Sequence, residues 1–197
     1  MPRVQTRFTE RFGVEVPVVG APMAGATGGA LAGAVSAAGG LGMIGIGPGA
    51  DPGWVRDQVA LAAEPGRPYG GGLLAWSVPD QPGVLDALLE GADGQVPALV
   101  SVSFGDYAPY VAAVKEAGVA VATQVGTVAD ALAAEKAGVD LLVARGGEGG
   151  GHGRNLVATL PLLQAVLPSN RQQIQHALDR IVDSGCRRIG LLGLSFK

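Results

Sequence analysis

The chain has 197 residues, a length that suits one domain or one domain with a fragment of another. Hydrophobic residues make up 48% and charged residues 16%, which excludes a disordered chain, and the 33 glycines follow no collagen-like period. With 14 basic and 17 acidic side chains and no basic cluster, nothing predicts a nucleic-acid partner. The single cysteine, Cys186, excludes an intramolecular disulfide and a multi-cysteine metal site, and we predict no metal.

Residues 16–50 carry no charged side chain and follow three arginines, so they mimic an export signal or a membrane segment. Three prolines and many glycines in this run would break a spanning helix, and two glutamates upstream spoil a positively charged leader. A buried strand–helix–strand unit explains the run, because parallel strands covered on both faces are continuously apolar. We therefore expect no membrane span and, with no evident targeting segment, a cytoplasmic protein.

Short apolar runs alternate with helical stretches along the chain. The predicted strands are Pro17–Ala21, Leu41–Ile46, Tyr69–Trp76, Ala98–Phe104, Val119–Thr123 and Val139–Ala144. The predicted helices are Gly28–Ala38, Pro52–Ala63, Gln81–Leu89, Tyr107–Ala117 and Thr127–Ala137. This alternation predicts a parallel α/β fold, either an open doubly wound sheet or a (β/α)8 barrel. A complete barrel does not fit, because the sixth strand already ends at Ala144.

The composition changes after Leu167, from a chain rich in Ala, Gly and Val to a polar one. Ser169 and Gln172 form a capping-box pair that predicts a helix start, and Gly185 predicts its end. Arg187–Leu194 is then predicted to be a strand with no helix after it. A buried strand in this position indicates an interrupted fold.

The glycine-rich segment Gly146–Gly153 follows the sixth predicted strand and contains His152. Glycines let backbone N–H groups approach a ligand closely, and a neutral imidazole can act as a base at physiological pH. The alternative is a solvated loop with an incidental histidine. We favour the functional interpretation, because a glutamate and a histidine among six glycines, just past a buried strand, are unusual.

Two more candidates follow predicted strands. Gly20–Gly25 has small residues around Met23, and a polarizable thioether can pack on a flat ring, although such a segment is often only a tight turn. Gln124 carries an amide that can both donate to and accept from a heterocycle. Sites in parallel α/β folds form at the carboxyl ends of strands, which is where these residues and His152 would meet. Weaker candidates are Ser101, Ser103 and Asp106, the last of which can simply cap a helix.

Gly45–Ala50 matches the glycine pattern of a dinucleotide-binding motif and follows a predicted strand. No Asp or Glu ends the next strand, so the sequence disfavours a nicotinamide cofactor. Cys186 is most simply a small packed residue.

Several motifs occur together and in a characteristic order: Ala21–Gly25, Ala37–Gly42, Ser103–Asp106, Gln124–Val125, Gly146–Gly153 and Ala158–Leu163. In order and spacing they resemble the nitronate monooxygenases, formerly called 2-nitropropane dioxygenases, over about residues 7–167. The resemblance implies a (β/α)8 TIM-barrel type fold that binds FMN and oxidises alkyl nitronates with O2 to carbonyl compounds and nitrite.

The resemblance also implies roles for residues. Ala21, Pro22 and Met23 would contact the flavin ring, and Gln124 would bind it by hydrogen bonds. Gly147, Gly150 and Gly151 would line the cofactor, and His152 would be the base or the nitronate-binding residue.

The chain departs from the family pattern in places. Gly72 stands where many relatives have Asn, Arg145 where a Gln is common, and Gly149 where Ala is usual. The barrel is also expected to be truncated after about six βα units, without the strands whose turns hold the FMN phosphate.

Residues 168–197 instead resemble a helix and strand of the UDP-glucose/GDP-mannose dehydrogenases. We therefore expect two parts, a partial FMN-binding barrel over residues 1–167 and an appended segment over 168–197. Two alternatives to a nitronate monooxygenase stay open: an inactive chimeric fragment and a related flavin-dependent enoyl-thioester reductase. Open barrel edges would favour homo-oligomers or aggregates.

Overall fold

The computed structural model describes residues 4–146. Its α-helices are α1 (Arg7–Phe12), α2 (Gly29–Ala37), α3 (Pro52–Ala63), α4 (Val84–Glu90), α5 (Ala108–Glu116) and α6 (Val128–Lys136). Its strands are β1 (Gly42–Ile46), β2 (Tyr69–Leu74), β3 (Leu99–Ser103), β4 (Ala120–Val125) and β5 (Leu141–Ala144), and one 3-10 turn covers Val78–Asp80. None of the described helices combines the length and the apolar composition needed to cross a bilayer.

The strands form one sheet in the order β1-β2-β3-β4-β5. The first three pairs are parallel, and a helix connects each strand to the next. In a doubly wound sheet the strand order reverses at a switch point, whereas here it follows the chain without reversal. Of the two folds compatible with the sequence, the structure is therefore the (β/α)-barrel type, represented by part of a barrel.

The chain packs as two compact units, Met1–Thr123 with Ala137–Leu141, and Gln124–Lys136 with Leu142–Lys197. The structure describes the second unit only up to residue 146. The boundary predicted at residues 167/168, and the helix and strand predicted beyond it, lie outside the described residues.

The first predicted strand is the main difference from expectation. Pro17–Ala21 forms only an isolated parallel bridge, in which Val19 pairs with Leu41. Two hydrogen bonds hold it, from the Leu41 N–H to the Val18 carbonyl (2.9 Å) and from the Gly20 N–H to the Leu41 carbonyl (2.8 Å). Prolines at positions 17 and 22 bracket these residues and lack the N–H that a longer ladder needs.

Helix α1 is an element that the sequence analysis did not predict. A reciprocal cap begins it: the Thr9 N–H donates to the Thr6 hydroxyl (3.1 Å) and the Thr6 N–H donates to the Thr9 hydroxyl (2.8 Å). Six residues are too few to show a helical period, so the cap was the available signal.

Two apolar clusters stabilise the first unit. The larger one lies between the sheet and its helices and contains Ile44, Val55, Leu88, Val100 and Val114, all fully buried. The smaller one lies on the other face of the sheet, here called the inner face, near the amino ends of the strands. It contains Phe12, Val14, Leu41, Met43, Leu99 and Ala122. Alternation of side chains along each strand sends neighbouring residues to opposite clusters.

Candidate active site

The inner face changes character along the strands. Met43 and Leu99, near the amino ends, are large and buried. Two residues further along β1 the same face holds Gly45. Two residues further along β3 it holds Ser101, and two more residues lead to Ser103. The hydroxyl oxygens of Ser101 and Ser103 lie 3.4 Å apart and both residues are buried. The carboxyl half of this face is therefore built from small and polar groups, which leave room above the strands for another segment of the chain or for a ligand.

The segment from Ala21 to Thr27 forms a compact turn at the carboxyl end of β1. The Met23 carbonyl accepts from the N–H groups of Ala26 (3.0 Å) and Thr27 (2.9 Å), and the Met23 N–H donates to the Thr27 hydroxyl (2.7 Å). The Gly45 N–H then donates to the Thr27 carbonyl (2.7 Å), which attaches the turn to β1. These bonds hold the backbone around Met23 in one position.

Two glycines make this close approach feasible. Gly45 and Gly72 are opposite each other in the β1–β2 register. A Cβ at position 45 would lie 2.6 Å from the Met23 nitrogen, and a Cβ at position 72 would lie 2.5 Å from the Pro22 Cβ. A side chain at either position would displace the turn. Close packing against Pro22 therefore explains why Gly72 stands where the family pattern has Asn.

The turn presents an exposed surface. Met23 is 52% exposed, Ala21 and Ala24 are exposed, and Pro22 is partly buried against Gly72. A cleft of about 460 Å³ lies beside it, lined by Ala24, Gly25, Gly45, Gly47, Pro48, Gly49, Ala50, Asp51 and Trp54. Apolar atoms and backbone groups dominate this surface, which suits contact with a flat ring.

The first N–H groups of α3, which follow the glycine-rich loop after β1, already have a hydrogen-bond partner. The Asp51 carboxylate accepts from the N–H groups of Gly53 (2.8 Å) and Trp54 (3.0 Å) and so occupies the position that an anion would take.

The loops after β2 and β3 bring aromatic side chains to the same end of the strands. Phe104 has φ 64°, a strained conformation for a residue other than glycine and one often found at functional sites. Trp76, which the sequence analysis did not single out, is 57% exposed after β2. Asp106 accepts from the Ala108 N–H (3.2 Å), the first N–H of α5, from the position before the N-cap Tyr107.

The second unit contains a polar pair. Gln124 lies in the last residues of β4 rather than after the strand, and Arg145 directly follows β5. A guanidinium nitrogen of Arg145 donates to the Gln124 amide oxygen over 3.1 Å, and both residues are partly buried. The sequence analysis noted Arg145 only as a departure, because pairing across strands is not visible in the chain order.

Each unit, taken by itself, has groups that fit the ring of a flavin. In the first unit, the exposed turn of small residues and Met23 can pack on the apolar face of such a ring. In the second unit, the Gln124–Arg145 pair has donors that can hydrogen-bond the carbonyl and nitrogen atoms of the ring. Gly147, Gly150, Gly151 and His152 lie outside the described residues, so their roles stay predictions. Within residues 4–146, no cluster of His, Cys, Asp or Glu is arranged to hold a metal ion.

A larger cleft of about 540 Å³ lies at the opposite, amino end and involves Arg11, Lys115 and Asp140. Asp140 accepts from Arg11 (3.0 Å) and from the Val121 N–H (3.0 Å), and Lys115 lies 3.7 Å away. Burial raises the pKa of the Asp140 carboxyl, but these donors outweigh it and hold the pKa below its ordinary value. The charged groups of this cleft thus pair with one another. Because barrel enzymes have their active sites at the carboxyl ends of the strands, this cleft is not the candidate site.

Comparison with known proteins agrees with the fold. The sequence model of the nitronate monooxygenase family matches residues 85–172. The solved structure of FabK from Thermotoga maritima has a TM-score of 0.72 and 32% identity, covering 84% of this chain and 51% of that one. The fold is thus that of a (β/α)-barrel enzyme.

Two curated relatives are each 32% identical. One is a nitronate monooxygenase from Paraburkholderia phytofirmans, with 72% of this chain and 48% of the relative covered. The other is a (3aS,4S,5R,7aS)-5-hydroxy-7a-methyl-1-oxo-octahydro-1H-indene-4-carboxyl-CoA dehydrogenase from Mycobacterium tuberculosis, with 84% and 45% covered. The chain spans about half the length of these relatives. The chain is thus similar to oxidoreductases of two different named activities. The resemblance of residues 168–197 to nucleotide-sugar dehydrogenases stays a prediction.

Proposed function

We propose that this chain belongs to an FMN-dependent nitronate monooxygenase, which oxidises alkyl nitronates with O2 to carbonyl compounds and nitrite. The observation that carries the proposal is the family match over residues 85–172, which includes both Gln124 and His152. As a net reaction, two nitronates and one O2 give two carbonyl compounds and two nitrite ions. Atoms and charge then balance without another reductant.

Bound FMN would supply the electron transfer and the reaction with O2. The turn at Ala21, Pro22 and Met23 would support the ring through apolar contact, since its backbone is held by Thr27 and Gly45. Gln124 would hydrogen-bond the ring from β4. Gly147, Gly150 and Gly151 would let the backbone approach the cofactor closely.

His152 would take a proton from a nitroalkane or hydrogen-bond the nitronate oxygens. The first role needs a neutral imidazole, and the second needs an N–H group, which the neutral and the protonated imidazole both have. We also propose that the substrate and O2 are small-molecule partners and that the protein works without a nucleic acid.

The first test measures visible absorbance of the purified chain after FMN addition and gel filtration, followed by nitrite release from a nitronate. We expect about one flavin per chain and a loss of about 100-fold or more in turnover for His152→Ala. His176→Ala, the only other histidine, is the matched control. Flavin that does not co-elute with the chain, or full turnover by His152→Ala, would reject the corresponding part of the proposal. Elution volume also reports the predicted self-association.

The second candidate is oxidation or reduction of a CoA thioester with the same flavin. It is favoured by the relative whose name is a carboxyl-CoA dehydrogenase. Oxidation of NAD(P)H with an enoyl thioester, without nitrite release from nitronates, would select this candidate.

A further inference from the structure

The Gln124–Arg145 hydrogen bond determines which way the Gln124 amide faces. A guanidinium has only donors, so the amide atom 3.1 Å from it is the carbonyl oxygen. The amide NH2 therefore lies on the other branch of the side chain. A residue that by itself could donate or accept thus becomes oriented to donate on that side.

The pair is held by the backbone as well. The Arg145 N–H donates to the Val125 carbonyl over 3.0 Å, next to Gln124 in β4. This bond aligns the residue after β5 with the end of β4, so both side chains start from hydrogen-bonded strands. Because both residues are partly buried, the charge of Arg145 is screened less than that of an exposed arginine.

We propose that Arg145 is a positioning residue for the flavin of the proposed function. It turns the Gln124 amide so that its NH2 donates to an acceptor atom of the ring, and it adds a positive charge beside that contact. A flavin ring gains negative charge when it takes up two electrons and one proton. An oriented donor next to a cation stabilises that form more than the oxidised one.

The consequence is a difference between two affinities. The ratio of the affinity for reduced FMN to the affinity for oxidised FMN should be larger with the Arg145 cation than without it. A tenfold difference in the affinity ratio equals about 30 mV in the two-electron potential of the bound flavin. This property does not depend on turnover, so it can be measured without a substrate.

The experiment measures the dissociation constants of oxidised FMN and of dithionite-reduced FMN under anaerobic conditions for the full chain and its variants. For Arg145→Gln, which keeps a donor but removes the charge, we expect reduced FMN to lose about tenfold more affinity than oxidised FMN. Arg145→Lys keeps the charge and should restore most of the ratio.

Gln124→Glu gives a second, independent measurement. Its carboxylate still accepts from Arg145, which preserves the local packing, but it has no NH2 and neutralises the cation. Reduced FMN should again lose more affinity than oxidised FMN. Circular dichroism melts confirm that each variant folds.

Equal losses for both redox states in Arg145→Gln, with wild-type FMN binding intact, would overturn this inference and leave the proposed function standing. A wild-type chain that binds FMN in neither state would overturn both.

Discussion

The two ends of the sheet in the first unit differ in what fills them. At the amino end, Phe12, Leu41, Met43 and Leu99 make an apolar cluster, and Asp140 joins Arg11 and Lys115 at its edge. At the carboxyl end the corresponding positions are Gly45, Gly72, Ser101 and Ser103, and the backbone turn around Met23 packs on the two glycines. One end is filled by large apolar side chains, and the other by small residues and a backbone turn whose outer surface is exposed.

This contrast separates an end of the sheet that stabilises the fold from the end at which the proposed site lies. Large side chains at the amino end remove apolar area from water and stabilise the strands. Small ones at the carboxyl end let the Met23 turn approach and leave its outer surface exposed. Substitutions at the amino end should therefore change folding, whereas those at the carboxyl end should also change ligand binding.

The largest effect should come from Phe12→Ala. Phe12 is buried and its ring centroid is 4.7 Å from that of Phe8, so truncation leaves a cavity in the inner-face cluster. We expect a loss of about 3–5 kcal/mol in the free energy of unfolding, measured by urea denaturation. Leu31→Ala, at a residue that is 49% exposed, is the control. A loss no larger than the control's would mean that α1 does not stabilise this cluster.

Gly45→Ala should give the next largest effect and should separate the two ends. The new methyl group would overlap the Met23 backbone, so we expect about 3 kcal/mol of destabilisation and weaker FMN binding together. A methyl group at Gly20 would have its nearest neighbouring atoms 3.6 Å away, which makes Gly20→Ala the matched control. If Gly45→Ala bound FMN as the control does, the turn would not be part of the cofactor site.

Asp140→Asn should give a smaller effect than these two substitutions, and one that depends on pH. The folded-state pKa of Asp140 is below its ordinary 3.8, so its stabilisation is present above that value and is lost as the pH falls through the lower folded-state pKa. We expect a loss of about 1–2 kcal/mol at neutral pH, measured by urea denaturation as a function of pH. In acid the wild type and the variant should converge.

Glu90→Gln is the control for Asp140→Asn. Glu90 pairs with Arg56 at 2.7 Å, but both side chains are about half exposed. Its effect should be small and should vanish at high salt, whereas that of Asp140 should persist. An Asp140 effect that salt abolishes would show that solvent screens the network as it screens a surface pair.

The alternation of apolar runs and helical stretches was enough to predict the described strands and helices, apart from α1 and the weak first strand. Caps such as Asp51 were also predictable, because they depend on neighbours a few residues away. The position of Gln124 at a strand end was predicted to within a residue or two. Long-range approaches were not predictable, since residues 23 and 45, or 124 and 145, show no relation in the chain order.

By itself, then, the sequence determined the class of fold and the family pattern, because both depend on local periodicity and on motif order. The resemblance already implied a barrel rather than a doubly wound sheet, and the tertiary structure decided in its favour through a strand order that does not reverse within the described residues. It likewise decided that Gly72 makes room for Pro22 and that Arg145 orients Gln124. The physical reason is that steric exclusion and hydrogen bonding act over a few ångströms in space, whatever the separation along the chain.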